Sequence, residues 1–278
     1  MALQVLVPLH TYPDGNSTAV ASHVAGLARH LGAEVHALVL NATIPPASSL
    51  TGTQLIDVSG MAREVMSRCR ARGDALAAAL AEALRAQGLG FRATELDCVM
   101  GTIGRAEVAS SHYCDVILVA LGADDASMRA NAETLIFGSG RPTLVVAEDA
   151  PPSSFGHVAI AWDGSRVATR AVADAHEFLR RAARVTIVSV TDEKVLPEAS
   201  PGSRLAEHLA RHGIEAAVSQ VRGEGRAIAT VLQDQARGIG ADLMVMGAFG
   251  HSRLRDFVMG GATNGVLHDL KLPVLLSH

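Results

Sequence analysis

The stretch GAFGHSRLRDFVMGGAT, residues 247 to 263, concentrates residue types that bind an anion. Gly247 and Gly250 lack the side chains that keep a phosphate away from backbone N–H groups. Gly260 and Gly261 open onto Ala262, Thr263 and a plausible helix, ATNGVLHDL. The first turn of such a helix offers unpaired N–H groups and a positive dipole end, and Thr263 can add a hydroxyl. Between the glycine pairs, His251, Arg253 and Arg255 supply cations able to meet a terminal phosphate. The stretch is neither a GK[ST] loop nor a GxGxxG turn. Glycine count alone favours a turn with a loop excursion.

Two further segments carry side chains suited to a nucleoside. In WDGS, residues 162 to 165, Asp163 can accept from an adenine amino group or a ribose hydroxyl. Ser165 can cap the helix that follows, and the plainer alternative is that both residues merely build a strand-to-helix turn. In SVTDE, Val190 is placed to pack on a flat ring, although a strand-end valine serves a core as well.

An internal repeat supplies the elements that must position these groups. Residues 5–40 parallel 158–190, DVILVALG parallels DLMVMGAFG, and RPTLVVAED parallels LPVLLSH, in the same order in both halves. The second half predicts strands near 157–162, 184–190, 215–221, 242–247 and 273–277, with helices near 165–182, 202–212, 225–238 and 261–269. The first half predicts strands near 3–9, 34–40, 91–98, 115–121 and 143–147, with a longer connection at 41–60 before a helix reaching about Gly88. The strands are continuous apolar runs, the pattern of a parallel sheet covered by helices on both faces. The expected fold class is α/β: two tandem doubly wound, Rossmann-like domains, each a five-stranded parallel sheet flanked by helices. The proline-serine stretch EDAPPSSFG divides them into 1–150 and 155–278. In such sheets ligands sit beyond the carboxyl ends of the strands, where strand order reverses. The two last strands, 143–147 and 273–277, can pair to give a pseudo-twofold intramolecular dimer.

Taken together, these residues resemble the universal stress protein family in its tandem form. Gly247, Gly250 and Gly260 fit that family's G-x2-G-x9-G-[ST] signature, with nine residues from His251 to Met259 inside it; Gly261 stands where the family places a hydroxyl. The resemblance implies that Asp163 and Val190 contact adenine and ribose, and that Gly247, Gly250, Gly260, Gly261 and Ala262 surround the phosphates. Its implied ligand is ATP or another adenine nucleotide, with magnesium as a companion, and its last strand is used for dimerisation, so a homodimer is a further expectation. The expected role is regulatory, in a stress response; a ligand-free interaction scaffold and slow ATP hydrolysis are the alternatives.

The first half departs from the signature. Gly122 survives, but Asp125 stands at the second glycine, Gly138-Ser139 follows twelve residues later, and Asp124 and Asp125 would repel phosphate. His10 stands where Asp163 does. This half reads as a degenerate site.

Composition bounds the rest. The formal charge of −4 and 3% aromatic content give no general attraction to nucleic acid or anionic membranes. The opening MALQVLVPLH carries no secretory pattern and no apolar run reaches a membrane span, so a cytoplasmic location is expected. Cys69, Cys98 and Cys114 show no CxxC spacing and read as buried thiols. His208 and His212 share a helix face, without a Glu after His208 or an evident third ligand, and read as surface histidines rather than a metal site. RCRAR at 68–72 reads as a solvated helix face, and RGEGR at 222–226 as a turn.

Overall fold

The computed structural model describes residues 2–45, 57–122, 125–149, 154–192, 201–249 and 261–278, with the side chains of residues 100 and 201 excepted. The first half runs β1 (Leu3–His10), α1 (Val20–Leu31), β2 (Ala33–Thr43), α2 (Val58–Ala86), β3 (Phe91–Val99), α3 (Ile103–Ser111), β4 (Val116–Leu121), α4 (Ala126–Gly138) and β5 (Thr143–Ala147). The second runs β6 (His157–Ala161), α5 (Arg166–Asp174), α6 (His176–Arg181), β7 (Arg184–Val190), α7 (Pro201–Arg211), β8 (Ala216–Val221), α8 (Ile228–Gly238), β9 (Leu243–Gly247), α9 (Ala262–His268) and β10 (Val274–Ser277). Strand positions agree with the sequence expectation to within a few residues. The helix expected over 165–182 is broken at Ala175, which separates α5 from α6. Of the 41–60 connection, β2 continues to Thr43 and Asp57 caps α2 by accepting from Gly60 N–H; residues 46–56 lie outside the described residues.

All ten strands join one sheet in the order β3-β2-β1-β4-β5-β10-β9-β6-β7-β8. Each half thus has the same order, its first strand lying between its second and fourth. All neighbours within a half are parallel, and the halves meet through β5 and β10, which pair antiparallel with Leu275 opposite Leu144. Leu144, Val145, Val274, Leu275 and Leu276 are fully buried at this join. The outermost strands differ in character: β3 reads FRATELDCV and is exposed along most of its length. Its charged side chains blunt an edge that would otherwise recruit another strand.

Side-chain alternation along the strands divides the interior into two layers. Val5, Val7 and Leu9 face α1 and α2 on one side, a layer that continues through Phe155, Val172 and Leu205 in the second half. Leu6, Ile117, Val119 and Met244 face the opposite side with residues of α4, α8 and α9. Both layers span the join, so burial on each face couples the halves. The repeat also recurs at the level of roles. Asp115 accepts the Gln4 N–H at 2.8 Å ahead of β4, and Asp242 accepts those of Gly156 and His157 at 2.8 and 2.9 Å ahead of β9. Each carboxylate ties the base of a fourth strand to the base of a first one. Among the described residues, no helix is long and apolar enough to cross a membrane.

Candidate functional site

Strand order in the second half reverses between β6 and β9, and a sheet of this kind offers a ligand crevice beyond the carboxyl ends of its strands at such a point. WDGS leaves β6 at this point. Asp163 Oδ1 accepts the Ser165 N–H at 2.9 Å, and Ser165 Oγ accepts the Ala168 N–H at 3.2 Å as the N-cap of α5. Both side chains therefore build the turn, the plainer of the two readings. The turn also sets the Asp163 carboxylate at the carboxyl end of β6. Val190 ends the next strand, buried beside Gly223. Asp192 fixes that neighbour by accepting the N–H groups of Gly223 and Glu224 at 2.6 and 3.0 Å, and these bonds hold its carboxyl below the usual range.

Gly247 ends β9 on the other side of the crevice. A Cβ there would lie 2.5 Å from the Val167 carbonyl carbon and 2.6 Å from the Ala168 nitrogen, so only glycine lets β9 meet the first turn of α5. Ala248 N–H donates to Ser277 O at 2.8 Å, and His278 Nδ1 lies 3.0 Å from Ala248 O. Phe249 takes φ +51°, a left-handed conformation that costs an ordinary residue about 1 kcal/mol. Contacts with α9 and α4 hold it there. Its N–H donates to Thr263 Oγ1 at 3.1 Å, and its ring stacks on Phe137 of α4 with centroids 4.0 Å apart and planes 22° apart. Phe137 also meets His278 edge-on at 4.9 Å. The first half thus reaches into the loop of the second through an aromatic contact that glycine-centred sequence reading missed. A phenylalanine inside a G-x2-G segment was the available signal.

Thr263 is buried, with its hydroxyl engaged by Phe249, whereas Ala262 is partly exposed at the start of α9. Gly261 is exposed and forms the N-cap of α9 without a side-chain hydrogen bond; a Cβ there would meet none of the described residues within 4 Å. Gly250, Arg253 and Gly260, with His251 and Arg255, lie outside the described residues. The structure accordingly brings together Asp163, Val190, Gly247, Gly261, Ala262 and Thr263 on the ends of β6, β7 and β9 and the start of α9.

The matching crevice of the first half is filled by the protein itself. Asn16 Oδ1 accepts the His10 N–H at 2.8 Å, and its amide donates to Ala120 O at 3.3 Å, bridging β1 and β4. The Glu148 carboxylate accepts from Ser17 N–H beside Gly122. His10, opposite Asp163 in the repeat, lies 2.8 Å from Glu107 of α3, and both side chains are buried. Asp125 caps α4 by accepting the Met128 N–H at 2.9 Å, so a carboxylate caps the helix start to which Gly261 brings no side chain in the second half. Asp124 lies outside the described residues.

The model of the Universal stress protein family matches residues 154–278. A universal stress protein from Archaeoglobus fulgidus superposes with a TM-score of 0.73 at 17% identity, over 99% of this chain and 96% of that one. A protein of unknown function from Pseudomonas aeruginosa follows at TM-score 0.56 and 18% identity, over 99% and 92% of the two chains. The cytoplasmic domain of a prokaryotic cation chloride cotransporter superposes at 0.50 and 9% identity, over 99% and 95%. These similarities establish a shared fold, which by itself does not carry function. No curated protein matches the chain. Residues 154–278 belong to the universal stress protein family, and the chain along its whole length takes the fold of a universal stress protein.

Proposed function

We propose that the second half, residues 155–278, binds an adenine nucleotide, and that the chain is a regulatory binding protein rather than an enzyme. The observation that carries this reading is that Asp163, Val190 and Gly247 stand at the carboxyl ends of the neighbouring strands β6, β7 and β9, with Gly261 at the start of α9. This arrangement pairs a carboxylate acceptor and an apolar strand end, suited to a nucleoside, with side-chain-free backbone suited to phosphates. Gly250, Gly260 and Arg253 complete the anion-binding part of the sequence motif. ATP, ADP and AMP share this chemistry, and magnesium would accompany the longer phosphate chains. Domain 1–150 has the same topology with its crevice filled by Asn16, Glu148 and Asp125, which supports a structural rather than a ligand-binding role. The β5–β10 join supports reading the molecule as an intramolecular pseudo-dimer of a binding and a non-binding half.

Equilibrium binding of ATP, ADP and AMP to the full chain and to Gly250→Asp tests the proposal. Binding by the unmodified chain that the variant loses is the expected result. No binding at millimolar nucleotide, or equal binding by both, overturns it.

A further inference from the structure

The second half holds a cleft between α5, α6 and α7. Helix α1 packs along α2, but α5 and α6 stand apart from α7, leaving a cavity of about 630 Å³ on the helix face of the sheet. This size lies within the range of small-molecule pockets. Its floor is apolar, built by Val172, Leu205 and Leu209, and Trp162 lines it beside the crevice. Its far side is imidazole. His176 of α6 stands 5.9 Å from His212, and His208 stands 4.9 Å from His212, measured between ring centroids. The sequence places His208 and His212 one turn apart; the fold brings His176 to them from a different helix. Among the described residues the lining also contains Arg204 and no carboxylate, in a chain whose net charge is −4. Also among the described residues, no group of three His, Cys, Asp or Glu side chains is arranged to hold a metal ion.

We infer that the cleft between α5, α6 and α7 binds a small amphipathic organic anion, its apolar body on Val172, Leu205 and Leu209 and its carboxylate or sulfonate among the three imidazoles. Imidazole N–H groups donate to such a head group, and protonation of a ring strengthens the bond. A cation is disfavoured, because no acidic partner lines the described wall. A purely apolar ligand would leave the imidazole edge facing it without a partner. The inference is independent of nucleotide binding: it rests on different elements and on residues that the crevice does not use, apart from Trp162 and Gly164 at their shared border.

Trp162 is the sole tryptophan of the chain, so energy transfer from it to anilinonaphthalene sulfonate reports a probe bound in its vicinity, which the cleft variants below assign to this cleft. The folded full-length protein should show such sensitised emission, and decanoate should displace the probe while decanol does so poorly. His208 and Ala173 are both exposed, so His208→Glu and Ala173→Phe leave the core intact. The first should weaken decanoate about tenfold, the scale of one charge-assisted hydrogen bond, and the second should exclude it by filling the cleft. Circular dichroism and an unchanged unfolding midpoint establish that both variants fold. Absence of sensitised emission, equal competition by decanol, or undiminished decanoate binding in both folded variants each overturns the inference.

Discussion

Phe137 offers the sharpest way to ask whether the first half serves the site of the second. Its ring stacks on Phe249 at 4.0 Å, and Phe249 is held at a positive φ next to the loop that would meet phosphate. An offset aromatic pair contributes about 0.5–1.5 kcal/mol beyond the area it buries. That is the same scale as the cost of the left-handed backbone at Phe249, so removing the stack takes away one of the restraints on it while the Thr263 hydrogen bond stays. Phe137→Ala should therefore weaken ATP binding about two- to tenfold, as the loop spends more time away from its bound form. Phe137→Tyr keeps the stack and should bind as the unmodified chain does. Calorimetric titration of ATP into the folded variants measures both, and combining Phe137→Ala with Phe249→Ala gives the coupling, expected at about 1 kcal/mol. ATP affinity unchanged in folded Phe137→Ala, or additive effects in the double variant, would refute the proposed link between the halves.

Other consequences follow from single environments. Gly261→Ser places its Cβ clear of every described residue and adds an N-cap hydroxyl; stability should rise slightly, by a few tenths of a kcal/mol, and ATP binding should tighten about tenfold. The depressed Asp192 pKa means that its two backbone hydrogen bonds stabilise the fold above the ordinary carboxylate value of 3.8. That contribution is lost as pH falls through the lower folded value, so unfolding midpoints of the unmodified protein and Asp192→Asn should converge in acid and separate above about pH 4. Burial raises the Cys98 thiol and pushes Cys114 up to about 11, and all three thiols are buried. A thiol reagent at neutral pH should accordingly label the native protein slowly and all three cysteines once it is unfolded.

Most of the fold is legible in the sequence because its signals are local. Continuous apolar runs such as VTIVSV and DVILVALG mark doubly covered strands, and their repetition in order predicts equal topology in the halves. The break at Ala175 is not marked by glycine or proline, so it escapes a reading based on punctuation. At the candidate site, residues that act through backbone or turn chemistry, such as Gly247 and Asp163, stand out by type. Others depend on contacts between distant segments. Phe137 meets Phe249 only because β5 and β10 pair antiparallel, and His176 joins His208 and His212 only after α6 and α7 settle on the sheet. The filling of the first crevice by Asn16 and Glu148 is equally nonlocal: the residues are 132 positions apart. Spacing rules contain no term for such meetings.

The measurement closest to the central proposal exploits the difference between the two helix ends. In the first half the Asp125 side chain caps the start of α4; in the second Gly261 brings no side chain to the start of α9, and a Cβ there would meet none of the described residues. Gly261→Asp copies the first arrangement into the second. A carboxylate at an N-cap stabilises a helix, so the variant should unfold at an equal or higher temperature, while its charge should repel phosphate. Calorimetric titration of ATP should then show binding to the unmodified chain and at least about tenfold weaker binding to this well-folded variant. Equal ATP affinity in the two proteins would contradict a phosphate site at this crevice.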